Sequence, residues 1–382
     1  MTTEIKGFCE AAFTPLREAF AANFDDGLEV GASLAACVRG RPVVDLWAGH
    51  ADFARTRPWA ADTVVLVRST TKIPLLICVL MLVDRGVIAL DAPIATYWPA
   101  FGVGGKDRVT VRDALTHQSG VPALDPPASY EEHVQWEVIC ARIAAEPHWF
   151  DGERRVAYHM VNSGFVLGEV MRRVDGRTPR QFLREELAEP AGIDIQIGMD
   201  AWDRVAETGA LTPAGPPTGT IDPTALRMIL SMSKGAWGSR VKGAEFPSSN
   251  AFGNGRSVAR LATILADGGV LDGRRYLGEA VVREVFAEQV AGDCPMFGHM
   301  RLGLIVALDH PAFPMPSPTS AYWGGRGGSL AVMDPKTGLS FGYAMNNFID
   351  ALPGEIETRR VRFWEALSQV LADLEASAPA LA

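Results

Sequence analysis

The chain has few cysteines, no long apolar span and no basic run, and each shortage excludes something. Of its 382 residues only five are cysteines (Cys9, Cys37, Cys78, Cys140 and Cys294), scattered, odd in number and without a CxxC pair. That pattern fits free thiols in a reducing compartment better than a disulfide framework. The longest uninterrupted apolar stretch is residues 73–83, well short of the ~20 residues a membrane helix needs. With a formal net charge of −9 and no cluster of Lys or Arg, a nucleic-acid partner is not expected. The first seven residues hold neither a basic nor an apolar signal region, so a soluble cytoplasmic protein is the expectation. The seven histidines show no HExxH or cysteine-paired spacing, so no metal, and likewise no organic cofactor, is implied.

At 48% hydrophobic residues, the chain can bury a large core of one big or two intertwined domains. Residues 8–24 carry Phe8, Ala12, Leu16 and Phe20 at helical spacing. Two apolar runs, 30–38 and 42–48, flank Arg39-Gly40-Arg41 and read as a hairpin. From residue 111 to about 290 the pattern is mostly helical, with segments 111–116, 130–145, 161–173, 179–187, 223–233, 256–268 and 277–287. Strand character returns at 329–333 and 339–345 around the turn Asp334-Pro335-Lys336-Thr337-Gly338, and residues 354–374 close the chain as a helix. The expected class is α+β. Residues 1–100 and 290–382 build an antiparallel sheet flanked by N- and C-terminal helices, residues 101–289 form a mostly helical domain, and a site sits at their interface.

Within this frame one quartet carries chemistry: Ser69-Thr70-Thr71-Lys72, between the β-branched run 63–67 and the apolar run 73–83. It reads as a strand leading into a buried helix, with the serine at the helix start, where free N–H groups place partial positive charge. Three residues on, Lys72 shares the serine's helical face. Burial lowers a lysine's pKa, and the neutral amine can take the serine's proton. Acyl transfer also needs a second proton-handling group and two donors for the oxyanion. Tyr158 is the candidate for the first, read as opening a helix with Val161, Phe165, Val166 and Val170 and as having its pKa lowered beside a cationic lysine. The strand Trp323-Gly324-Gly325-Arg326-Gly327-Gly328-Ser329 is the candidate for the donors, because glycine permits close backbone approach.

Together these elements resemble the serine β-lactamase-like hydrolases, above all the family VIII carboxylesterases, from about residue 10 to about 370. Ser69 and Lys72 match the SxxK element, Tyr158 the tyrosine of the second, and Trp323-Gly324-Gly325 stands where Lys-Thr-Gly is usual. Leu115-Thr116-His117-Gln118-Ser119-Gly120 and Pro247-Ser248-Ser249-Asn250 are similar flanking stretches. The resemblance implies Ser69 as nucleophile, Lys72 and Tyr158 as proton carriers, the backbone N–H groups of Ser69 and Arg326 as oxyanion hole, and Trp323, Gly324 and Gly325 as substrate contacts. Met160 and Trp323 remove an amide and a cation of the lactamase pattern, which favours uncharged, small-molecule, short-chain esters. A β-lactamase or D-amino-acid peptidase or amidase, an acyltransferase and a non-catalytic scaffold remain as alternatives. The oligomeric state is not legible.

Three decoys fail on context. Ser231-Met232-Ser233-Lys234 is a second SxxK at a helix end, and Lys336-Thr337-Gly338 lies in a turn. Ser340 in Gly338-Leu339-Ser340-Phe341-Gly342 lies within a strand, with no histidine after it to complete a hydrolase elbow. His117 reads as a loop-ordering residue, His159 as a structural one with tuning of the neighbouring Tyr158 site as the alternative, and Trp47, Trp136, Trp149 and Trp237 as core.

Overall fold

A computed structural model describes residues 3–209, 222–230, 243–349 and 357–377. Nine antiparallel strands form one sheet in the order Ile5–Cys9, Arg41–Gly49, Gly31–Val38, Leu339–Met345, Leu330–Asp334, Ala321–Gly324, Ala307–Leu308, Gly298–Leu302 and Val290–Cys294. The two ends of the chain meet where Leu339–Met345 pairs with Gly31–Val38, with Gly342 opposite Ala35. The first hairpin turns on Arg39 and Gly40, both at positive φ, the twist a two-residue connection between right-twisted strands requires.

Alternation along the strands splits the core in two. Leu339, Phe341, Tyr343 and Met345 face the terminal helices Thr14–Asp25 and Thr358–Ser377, which supply Leu16, Phe20, Phe363 and Leu367. Ala331, Met333 and Ala344 face the other side, against helices Lys72–Asp84, Asn162–Asp175 and Gly255–Ala266. Helix Gly255–Ala266 lies unusually close to the sheet, because two glycines face the contact. A Cβ on Gly342 would stand 2.3 Å from both Ala259 N and Gly255 O, and one on Gly255 2.7 Å from Ser33 O.

Several sequence-based boundaries move. The first helix begins at Thr14, not residue 8, because Ile5–Cys9 joins the sheet edge and leaves Phe8 exposed. The run 63–67 contributes only the short strand Val65–Leu66, paired with Ala251–Gly253 in a separate three-stranded sheet. Strands Val290–Cys294 and Gly298–Leu302, which the sequence pattern did not announce, extend the far edge of the large sheet. No helix among the described residues is long and apolar enough to cross a membrane.

The glycine contact generates a stability prediction. Gly342→Ala forces a methyl against backbone on two sides, and overpacking of this kind destabilises by about 1–3 kcal/mol. Urea unfolding should show a lower midpoint at an unchanged m-value. An unchanged midpoint would mean the helix can retreat without loss.

Candidate active site

The nucleophile candidate sits on a strained turn. Strand Val65–Leu66 leads into a 3₁₀ turn, Arg68–Thr71, and the α-helix proper begins at Lys72. Arg68 adopts φ of 49°, a left-handed conformation that favours glycine. Its guanidinium lies 5.1 Å from the Phe348 ring centroid. The turn is pinned from three directions. Thr71 Oγ1 accepts from Ala251 N–H at 2.9 Å, Ser329 Oγ donates to Val67 O at 2.7 Å, and Trp323 Nε1–H donates to Ser69 O at 3.1 Å. Ser69 itself is only half-buried, so a substrate can reach it.

Lys72 is the opposite case. Helix Lys72–Asp84 is buried on every face from Lys72 to Leu82, so its first side chain enters the interior without water. Desolvation alone lowers the Lys72 amine to about 7, and no carboxylate pairs with it among the described residues. Its Nζ donates to Met160 O at 2.8 Å and to Ser248 O at 3.2 Å, and lies 3.2 Å from Tyr158 Oη. A neutral amine has two hydrogens and one lone pair. With both hydrogens given to the two carbonyls, the lone pair is left for the phenol.

The Ser69 side chain acts on the Tyr158 phenol as a hydrogen-bonding neighbour, and the same phenol lies 3.2 Å from Lys72 Nζ. Two expectations for it need correction. Tyr158 does not open a helix, since residues 153–159 are irregular and the helix starts at Asn162. Nor is its pKa lowered: burial pushes the phenol well above its ordinary value, the serine bond offsetting part of that. Desolvation is the dominant cause, and the same burial lowers the lysine and weakens it as a cationic neighbour.

The glycine-rich segment lies against the nucleophile turn. A Cβ on Gly325 would stand 2.4 Å from Val67 O and 3.0 Å from Arg68 Cβ, so only glycine permits this approach. Gly325 N–H donates to Ser329 O at 2.8 Å, and Gly328 N–H to Gly325 O at 3.0 Å. The Arg326 side chain is exposed. Trp323 is 5% exposed, and its indole N–H is spent on the Ser69 carbonyl, so the residue braces the nucleophile as well as walling the site.

An aromatic shell closes around the phenol. His117 stacks on Trp323 at 5.7 Å and meets Tyr158 edge-on at 4.8 Å, with burial holding its imidazole neutral. Its Nδ1 accepts from His159 N–H at 3.3 Å, and His159 in turn bonds Ser119 Oγ and Ala157 O, so both histidines order the loop. Phe297, 57% exposed, meets Tyr158 edge-on at 5.3 Å. Sequence reasoning did not single out Phe297, Ser329 or the carbonyls of Met160 and Ser248 as parts of the site. Ser248 had a signal in its flanking stretch, Met160 in the tyrosine element and Ser329 in the glycine-rich strand, but none for the roles found here; Phe297 had none.

The decoys lie elsewhere. Ser340 is buried in its strand and bonds Thr263 Oγ1 at 2.7 Å, and Lys336 pairs with Glu375 at 2.8 Å. Residues 231–234 and Trp237 lie outside the described residues. The five cysteines are free. Among the described residues no group of three or more His, Cys, Asp or Glu is placed to hold a metal ion.

Comparison with known proteins identifies the family and the fold. The Beta-lactamase family profile matches residues 20–363. The esterase/beta-lactamase LipL of Mycobacterium tuberculosis is 33% identical over 369 residues, covering 91% of this chain and 84% of that protein. A penicillin-binding protein homologue from Caulobacter crescentus superposes with a TM-score of 0.86 at 36% identity, over 97% of this chain and 100% of its own. A family VIII carboxylesterase superposes with a TM-score of 0.86 at 35% identity, over 96% of this chain and 100% of its own. The chain belongs to the β-lactamase family and is a hydrolase of the β-lactamase/transpeptidase-like fold.

Proposed function

We propose that the protein is a serine carboxylesterase of the family VIII type, acting through an acyl-enzyme on Ser69. The observation that carries this reading is the contiguous set Ser69, Tyr158 and Lys72, with the amine fully buried and 3.2 Å from the phenol. As Ser69 Oγ attacks the ester carbonyl, its proton passes to Tyr158 Oη, and the phenol's own proton passes to Lys72 Nζ. The opposed pKa shifts support these roles: the lysine near 7 is the resting base, and the phenol, kept neutral, conducts. The backbone N–H groups of Ser69 and Arg326 hold the oxyanion. Collapse returns the proton to the leaving alcohol, and water then releases the acid by the same route in reverse.

Esters are favoured over β-lactams because Trp323 and Met160 leave the site without the cation and amide that would engage a carboxylate and a substrate amide. The names of LipL and of the family VIII neighbour point the same way. LipL's name also includes β-lactamase, which makes the lactam the competing substrate to test.

Ser69→Ala should lose p-nitrophenyl butyrate turnover by roughly 10³-fold or more, and retained turnover would falsify the assignment. Tyr158→Phe breaks the relay while leaving Lys72 buried, so kcat should fall by about 10²–10⁴, where a purely packing role predicts little change. The wild type should turn over the butyrate faster than nitrocefin. The reverse order would favour the lactamase reading.

A further inference from the structure

Among the largest fully buried side chains in the described protein is that of Arg359, in the C-terminal helix. A fully buried guanidinium needs acceptors for its five N–H donors. Arg359 finds acceptors for four of them: Glu29 and Asn347 O for Nη1, Glu357 for Nε, and Gly327 O for Nη2 at 2.7 Å. Glu29 also accepts from Tyr343 Oη, which fixes the carboxylate to the central strand. Three of these partners are unremarkable structural ones. The bond to Gly327 is different, because it reaches the glycine-rich segment beside the nucleophile.

That segment is a chain of two locked peptides. In the 327–328 peptide, the carbonyl accepts from Arg359 and from Ile349 N–H at 3.2 Å, while the Gly328 N–H donates to Gly325 O at 3.0 Å. In the 325–326 peptide the carbonyl is therefore turned inward, onto Gly328. This peptide is trans, the cis bond of the described chain being Asp125-Pro126. Carbonyl and N–H of a trans peptide point in opposite directions, so holding Gly325 O inward drives the Arg326 N–H outward. Gly327 and Gly328 adopt φ of 96° and 128°, conformations that L side chains rarely take and that a turn this tight requires. A Cβ on Gly328 would stand 2.6 Å from Arg359 Nη2, so the guanidinium fills the space against which the loop rests.

We infer that Arg359 is a positioning residue for catalysis: it fixes the 327–328 peptide, which orients the Arg326 N–H as an oxyanion donor. The inference rests on the assignment of that N–H to the oxyanion hole. Arg359 touches no substrate and acts through two peptides. A preorganised donor stabilises the transition state more than the ground state, so its loss appears in kcat and not in KM.

The test compares wild type with Arg359→Lys and with Glu357→Ala, the latter freeing the guanidinium from Nε's acceptor at a position near the surface. Kinetics on p-nitrophenyl butyrate are normalised to titrated active sites, alongside Tm and the inhibition constant of an aliphatic trifluoromethyl ketone, whose serine adduct carries an oxyanion. Losing a whole oxyanion donor lowers kcat by ~10²–10³, so a misaimed one in Arg359→Lys should lower it by about 10–100-fold, with KM nearly unchanged. Ketone affinity should fall by a similar factor, and Glu357→Ala should shift both in the same direction by a smaller one. Folded variants with wild-type kcat per site and wild-type ketone affinity, changed only in Tm, would overturn the inference. If Arg359→Lys does not fold, Glu357→Ala decides alone. A crystal structure of the wild-type ketone adduct tests the underlying assignment separately: an oxyanion beyond hydrogen-bond reach of Arg326 N refutes the assignment, whatever the variants do.

Discussion

A primary amine held without water or counter-charge is the constraint on which this site depends. An ammonium at the Lys72 position would face two carbonyls, a phenol and a wall of aliphatic side chains. Burial therefore favours the neutral form, and the neutral form is the one that can act as a base. The surrounding sequence follows from that requirement. The helix that carries Lys72 is apolar all round, so no face of it admits solvent to the amine. Met160 and Ser248 contribute backbone, not side chains, because carbonyl oxygens accept hydrogens without adding a charge that would restore the ammonium.

The second requirement is a rigid frame around a reachable serine. Two sheets grip the turn that carries Ser69. Trp323 and Ser329 come from the sheet side, and Ala251, through Thr71, comes from the small three-stranded sheet. Strain at Arg68 is tolerated because the residues on both sides of it are fixed by these bonds. The glycine-rich segment is held twice over, by Ser329 toward the nucleophile and by Arg359 from behind.

How much of this the sequence showed depended on how local the signal was. The Ser69–Lys72 quartet was legible because an eleven-residue apolar run after it leaves few options besides a buried helix. Both sheet hairpins around Arg39-Gly40 and Asp334–Gly338 were legible from turn residues between alternating strands. Strands Val290–Cys294 and Gly298–Leu302 were not, because an edge hairpin with Gly292, Asp293 and His299 on it has no apolar alternation to read. Tyr158 was named by resemblance, and its phenol lies 3.2 Å from Lys72 Nζ, but its environment was misjudged: the local argument weighed a charged neighbour, and tertiary burial outweighs it. Arg359 was invisible as a site residue, and Ser329 was seen only as the end of the glycine-rich strand, since their partners lie far away along the chain.

The most direct test of the buried-amine account is the pH dependence of phosphonylation by a fluorophosphonate probe, with the labelled residue located by comparison with Ser69→Ala. A base lowered to about 7 is competent above that pH, so the labelling rate should rise tenfold per pH unit below it and level off above it. A rate that stays low until about pH 10, the range of an ordinary lysine, would contradict the account.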